Sequence, residues 1–121
     1  MHPHGYAAAQ RQTLSGRALE REVFVRAAAR LEAVDLRAPG GFTALAEALE
    51  SNRALWRAVA TDLASSSNDC PDDIKASLLS LASFVENHTT LVMRGEAGPN
   101  VLIEIDRNIA GGLAPAPAVA A

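Results

Sequence analysis

This 121-residue chain has one cysteine, one lysine, one tryptophan and one tyrosine. A lone Cys70 excludes an intrachain disulfide framework and a cysteine-built metal site. Aromatic residues are only 4% of the chain: Tyr6, Phe24, Phe42, Trp56 and Phe84. The interior must therefore be filled mainly by Ala and Leu, which favours close-packed helices over sheets. No stretch alternates apolar and polar residues long enough to read as a strand. The opening Met1-His2-Pro3-His4-Gly5-Tyr6 lacks a basic segment followed by an apolar one, so it does not read as a signal peptide. Uncharged stretches such as 76–85 are too short to span a bilayer. These absences predict a cytoplasmic protein with no membrane partner.

Positive charge is unevenly spread. The net charge is −3 overall, but residues 1–60 carry +2 and residues 61–121 carry −5. Ten of the eleven cations are Arg. An acidic half with only Lys75, Arg94 and Arg107 suits a phosphate backbone poorly, so any RNA contact falls to the N-terminal half.

What the chain does have is two apolar stripes at 3/4 spacing. The first runs Phe42, Leu45, Leu49, Asn52, Trp56, Val59, Leu63; the second runs Ile74, Leu78, Leu81, Val85, His88, Val92. Steps of three and four keep side chains on one helical face. Ser15 reads as the N-cap of an earlier helix to about residue 33, with Val23, Phe24, Ala27, Leu31 and Val34 in one arc. Pro39-Gly40-Gly41 breaks the chain before a helix over about 42–64. Pro71 fits the first turn of the next helix, with Asp72 and Asp73 where its dipole favours carboxylates. Arg94-Gly95 fits that helix's end, and a last helix over about 101–113 presents Leu102, Ile105 and Ile109. Short connections predict an all-α up-down bundle of three long helices and a shorter C-terminal one. It occupies 15–113, between a flexible arm (1–14) and a disordered Ala/Pro tail (114–121).

Several residues invite a chemical reading. Asn52 interrupts its stripe, either as a satisfied amide that fixes helix register or as a recognition residue. His88 has no His or Cys within two turns to share a metal and no nucleophile on its own face, so a hydrogen bond between helices is its simpler role. Trp56 is either the largest core residue or a partner anchor. Phe84 and Leu91 lie beside the stripe of Leu81 and His88, which makes this helix apolar over an arc wider than one neighbour needs. Arg26, Arg30 and Arg37 share a face and Arg53 and Arg57 stand one turn apart. Glu22, Glu32, Glu47 and Glu50 are interspersed, with no aromatic among them to stack a base. Nothing here assembles a catalytic pair, a metal set or a cofactor fingerprint, so no enzyme activity and no cofactor is expected.

Three segments carry a family resemblance. Ala48-Leu49-Glu50-Ser51-Asn52-Arg53-Ala54-Leu55-Trp56 is similar to the "AL..NR.LW" segment of the FlaF family of flagellar biosynthesis regulators. Ser80-Leu81-Ala82-Ser83-Phe84-Val85-Glu86-Asn87-His88-Thr89, continuing through Val92-Met93-Arg94-Gly95, resembles that family's "SLA.FV..HT..VM.G". Leu102-Ile103-Glu104-Ile105-Asp106-Arg107-Asn108-Ile109 with Gly112-Leu113 is similar to its closing "LI.IN..I..GL". The resemblance covers about 15–113. Leu14-Ser15-Gly16-Arg17 and Glu20-Arg21-Glu22-Val23-Phe24 depart from the Pro-Arg and Glu-Tyr pairs that many members carry, so no contact is carried over there.

The resemblance implies an alphaproteobacterial protein needed for flagellin production and secretion, a cytoplasmic chaperone of flagellin working beside the regulator FlbT. The terminal segments of flagellin are disordered until assembly and pack as amphipathic helices, which an apolar groove between helices can hold. The expected groove involves Asn52, Trp56, Leu81, Phe84, His88, Leu91 and Val92, with Arg53 and Arg94 at its rim. The alternative is an RNA-binding regulator of flagellin messenger RNA acting through Arg26, Arg30, Arg37, Arg53 and Arg57.

Overall fold

The computed structural model describes residues 20–112, and every regular element among them is a helix: α1 (Arg21–Glu32), α2 (Gly41–Ala64), α3 (Asp72–Met93) and α4 (Asn100–Gly112). The all-α expectation holds. The expected arm, the tail and the Ser15 cap lie outside the described residues. Glu20 has extended backbone (φ −102°, ψ 123°), so α1 starts at Arg21 rather than running on from Ser15. Its first fully enclosed side chain is Phe24.

Each helix end has a local cause. A Cβ at Gly41 would lie 2.5 Å from the Asp35 carbonyl oxygen and 2.8 Å from the Leu36 Cα, so only hydrogen fits where α2 starts against the preceding turn. In the connection to α3, the Asn68 side-chain amide donates to Asp62 Oδ2 (3.0 Å) and Asn68 Oδ1 accepts from the Cys70 backbone N–H (2.8 Å). Pro71 stands one position earlier than expected: it caps α3, and its carbonyl accepts from the Lys75 N–H at 2.8 Å. At the other end Gly95 takes φ 76°. Its N–H donates to Val92 O (3.0 Å) and the Glu96 N–H to Leu91 O (2.9 Å), the two bonds of a Schellman stop with glycine at the left-handed position.

Packing sorts the helices into pairs, α1 chiefly on α4 and α2 chiefly on α3, while α3 and α4 barely meet. Arg57 of α2 reaches Glu86 whereas Arg53, one turn earlier, reaches on to Thr90, so α2 and α3 run antiparallel. The α2 stripe is buried as expected from Leu45 to Leu63, except that Phe42 is 77% exposed. The α3 stripe is rotated by about one residue in its middle. Ala82 and Thr89 are buried where Leu81 and His88 were expected, and Ile74 is exposed. Small side chains at the contact let the two backbones approach, and the Thr89 hydroxyl is satisfied locally by Val85 O at 2.6 Å. On α4 the buried face is Leu102, Ile103, Asp106 and Ala110, which leaves Ile105 and Ile109 half-buried.

Gly41→Ala should cost about 2 kcal/mol or more, because the obstructing atoms are backbone. Gly98→Ala, with nothing within 4 Å of the added carbon, should be neutral to slightly stabilising. Urea unfolding of the two variants checks this; equal midpoints would refute the crowding at Gly41.

Candidate functional site

Trp56 sits at the centre of the bundle, 1% exposed. Its indole packs edge-on against Phe24 of α1, with ring centroids 5.4 Å apart. Its Nε1–H donates to Asp106 Oδ1 of α4 at 2.9 Å. One α2 side chain thus joins three helices, which places Trp56 in the core rather than in an open groove. Asp106 is wholly enclosed, and its Oδ2 finds no hydrogen-bond partner among the described residues. Burial pushes its carboxyl from 3.8 up to about 6, against the opposing pull of the Trp56 hydrogen bond. Asp106 was missed in the sequence, although a charged residue in register with Leu102, Ile103 and Ala110 carries the same signal that singled out Asn52.

Asn52, one turn before Trp56, is also wholly enclosed, and neither atom of its amide has a partner among the described residues. The expected satisfied amide is therefore not what the fold supplies. Arg53 is not a groove rim either. Its side chain is only 14% exposed and clamps α2 to α3, donating to Glu50 Oε2 (2.6 Å), Thr90 Oγ1 (3.4 Å) and Glu86 Oε2 (3.5 Å). Arg57 donates to the same Glu86 (Nε to Oε1, 2.7 Å). The Arg57 hydrogen bond, and then the charges of Arg57 and Arg53, hold the Glu86 carboxyl below its usual range. Arg26 pairs with Glu22 at 3.7 Å. Three of the five arginines proposed for RNA contact are thus matched by carboxylates.

The remaining expected residues fall into two places. Leu81, Phe84, His88 and Leu91 share the side of α3 turned away from its Glu86–Thr90 strip. Phe84 and Leu91 are exposed (42% and 36%). The imidazole of His88 stacks on Phe84 (centroids 5.2 Å apart, planes at 16°), and its Nε2–H donates to Gly98 O at 2.9 Å, tying α3 to the following loop. Val92 and Arg94 lie elsewhere, in a cleft of about 480 Å³ between the start of α2 and the end of α3. Phe42, Leu45, Ala46, Leu49, Met93 and Gly95 complete its lining. Phe42 also borders a shallower depression with Thr43, Ala46, Glu47 and Glu50. Nothing in the sequence marks Phe42 as projecting there, because its spacing continues the core stripe and only the end of α3 leaves it uncovered. No group of three or more His, Cys, Asp or Glu among the described residues could hold a metal, and no described helix is long and apolar enough to cross a membrane.

The raised Asp106 carboxyl makes a signed pH prediction. Folding protonates it between 3.8 and about 6, so its contribution to stability is fully present below that interval and is lost as pH rises through it, by up to about 3 kcal/mol. Glu86 acts in the opposite sense and only at the acid end. The difference between wild type and Asp106→Asn, measured by denaturant unfolding from pH 4 to 7, isolates Asp106. It should grow in favour of the variant as pH rises; a pH-independent difference would refute the assignment.

No curated protein and no solved structure shows a significant match to the chain. The family model described as flagellar protein FlaF matches residues 3–113, nearly the whole sequence. The chain belongs to the FlaF family of flagellar proteins.

Proposed function

We propose that the protein is a non-enzymatic chaperone of flagellin acting in the cytoplasm, and that through this role it regulates flagellin synthesis and secretion. The observation that carries the reading, beyond family membership, is the apolar outer side of α3. Its inner side packs on α2, it barely meets α4, and it leaves Phe84 and Leu91 exposed in one row with Leu81 and His88. Such a row matches the anchor spacing of an amphipathic helix laid along it. A terminal flagellin segment, unfolded until assembly, would bury its apolar face there and be kept from aggregating. The hydrogen bond from His88 to Gly98 and its stack on Phe84 hold the centre of the row in one geometry, which lowers the ordering cost of binding.

Action beside FlbT fits a division of labour in which FlbT deals with the messenger and this chain with the protein. Direct RNA binding is the lesser reading, because Arg53 and Arg57 converge on Glu86 and the chain is acidic overall.

Co-purification with flagellin tests the proposal. Phe84→Asp with Leu91→Asp, both at exposed positions, should leave helix content and melting nearly unchanged and reduce recovered flagellin at least tenfold. Full recovery of flagellin by a folded double variant would refute this placement. Recovery of RNA lost on Arg→Ala changes at Arg26, Arg30 and Arg37 would favour the RNA reading instead.

A further inference from the structure

We infer that the Phe42 face is a self-complementary surface through which two copies of this chain associate, separate from the outer side of α3. Three features of that face argue for a second copy. A large apolar side chain projects from it, Phe42 at 77% exposure, directly beside an apolar cleft of about 480 Å³ with ample room for a benzyl group. Knob and hole therefore lie side by side on one molecule, which is the arrangement an isologous contact requires. The second feature is charge. Arg94 lies on the α3 side of Phe42 and Glu47 on the opposite side, and neither has an ion-pair partner among the described residues. A two-fold axis running along α2 exchanges these two sides, so that Arg94 of each copy comes opposite Glu47 of the other. The alternative axis, across α2, would face like charge with like, so the charges select one orientation.

The third feature is the rigidity of both walls. The α2 wall starts at Gly41, wedged against Asp35 and Leu36, and the α3 wall ends in the hydrogen-bonded stop at Gly95. Arg53 ties the two together, reaching Met93 Sδ of the cleft lining at 3.8 Å. These contacts brace both walls of the cleft and leave its apolar lining open, and Met93, 41% exposed at its edge, is a pliable side chain suited to packing on an incoming ring. Covering Phe42, Ala46, Met93 and the cleft floor is the return for association.

Sedimentation velocity on the purified full chain tests this over a wide concentration range. The wild type should show a concentration-dependent dimer. Phe42→Asp, at a position outside the core, should weaken association at least tenfold without changing the melting temperature at concentrations where the wild type is monomeric. Glu47→Arg and Arg94→Glu should each weaken it, and the double exchange should restore it. Phe84→Asp with Leu91→Asp should leave it unchanged, which separates this surface from the proposed client site. A wild type that stays monomeric throughout, or a dimer indifferent to Phe42→Asp, overturns the inference. If that monomer loses flagellin on Phe42→Asp, the cleft belongs to the client.

Discussion

The bundle depends on the bond between the Trp56 indole and the Asp106 carboxylate. Among the described residues it is the one buried side-chain hydrogen bond that joins α2 to α4, and the same indole packs on Phe24 of α1. In a chain with so few aromatics, Trp56 is the largest of the fully buried side chains. The bond is also a compromise. It satisfies one carboxylate oxygen and leaves the other without a partner among the described residues, so the geometry that aligns α4 stores an electrostatic cost. A hydrophobic pair would remove that cost and with it the angular preference that a directional hydrogen bond imposes on α4.

The second constraint is the ionic clamp between α2 and α3. Glu86 receives both Arg53 and Arg57, which fixes the register of two long antiparallel helices, α3 burying Leu78, Ala82, Val85, Thr89 and Val92. Exposed ion pairs contribute little each, but the Arg53 side chain is largely enclosed and reaches four partners, so it acts as a positional lock. Because α3 is held from that side and scarcely touches α4, its opposite side need not serve the core. The exposed row at Phe84 and Leu91 follows from this one-sided attachment, and so does the open cleft where α3 stops. The function proposed for the protein uses surface that the packing scheme leaves over.

Asn52 shows the opposite economy: a wholly enclosed amide with both atoms unpartnered among the described residues is a stability cost with no visible structural return. Its position between Leu49, in the floor of the cleft, and Trp56, at the centre, puts that cost where the two meet.

Helical class, the glycine and proline boundaries of α2 and α3 to within a residue, and the buried run from Leu45 to Leu63 were legible in the sequence, because 3.6-residue periodicity and the chemistry of Pro and Gly act over a few neighbouring residues; the start of α1 was not. The family was legible too, since three spaced segments carried it. Which residues stand together was not. Leu81 and His88 yield the core to Ala82 and Thr89 because close approach of α2 favours small side chains, which a hydrophobicity pattern ranks the wrong way round. Phe42 leaves the core because α3 ends before covering it, and Arg53 and Arg57 turn from a basic strip into a clamp because Glu86 arrives from another helix. Local rules decide what each segment becomes; only the packing of one segment on another decides which of its sides is left facing out.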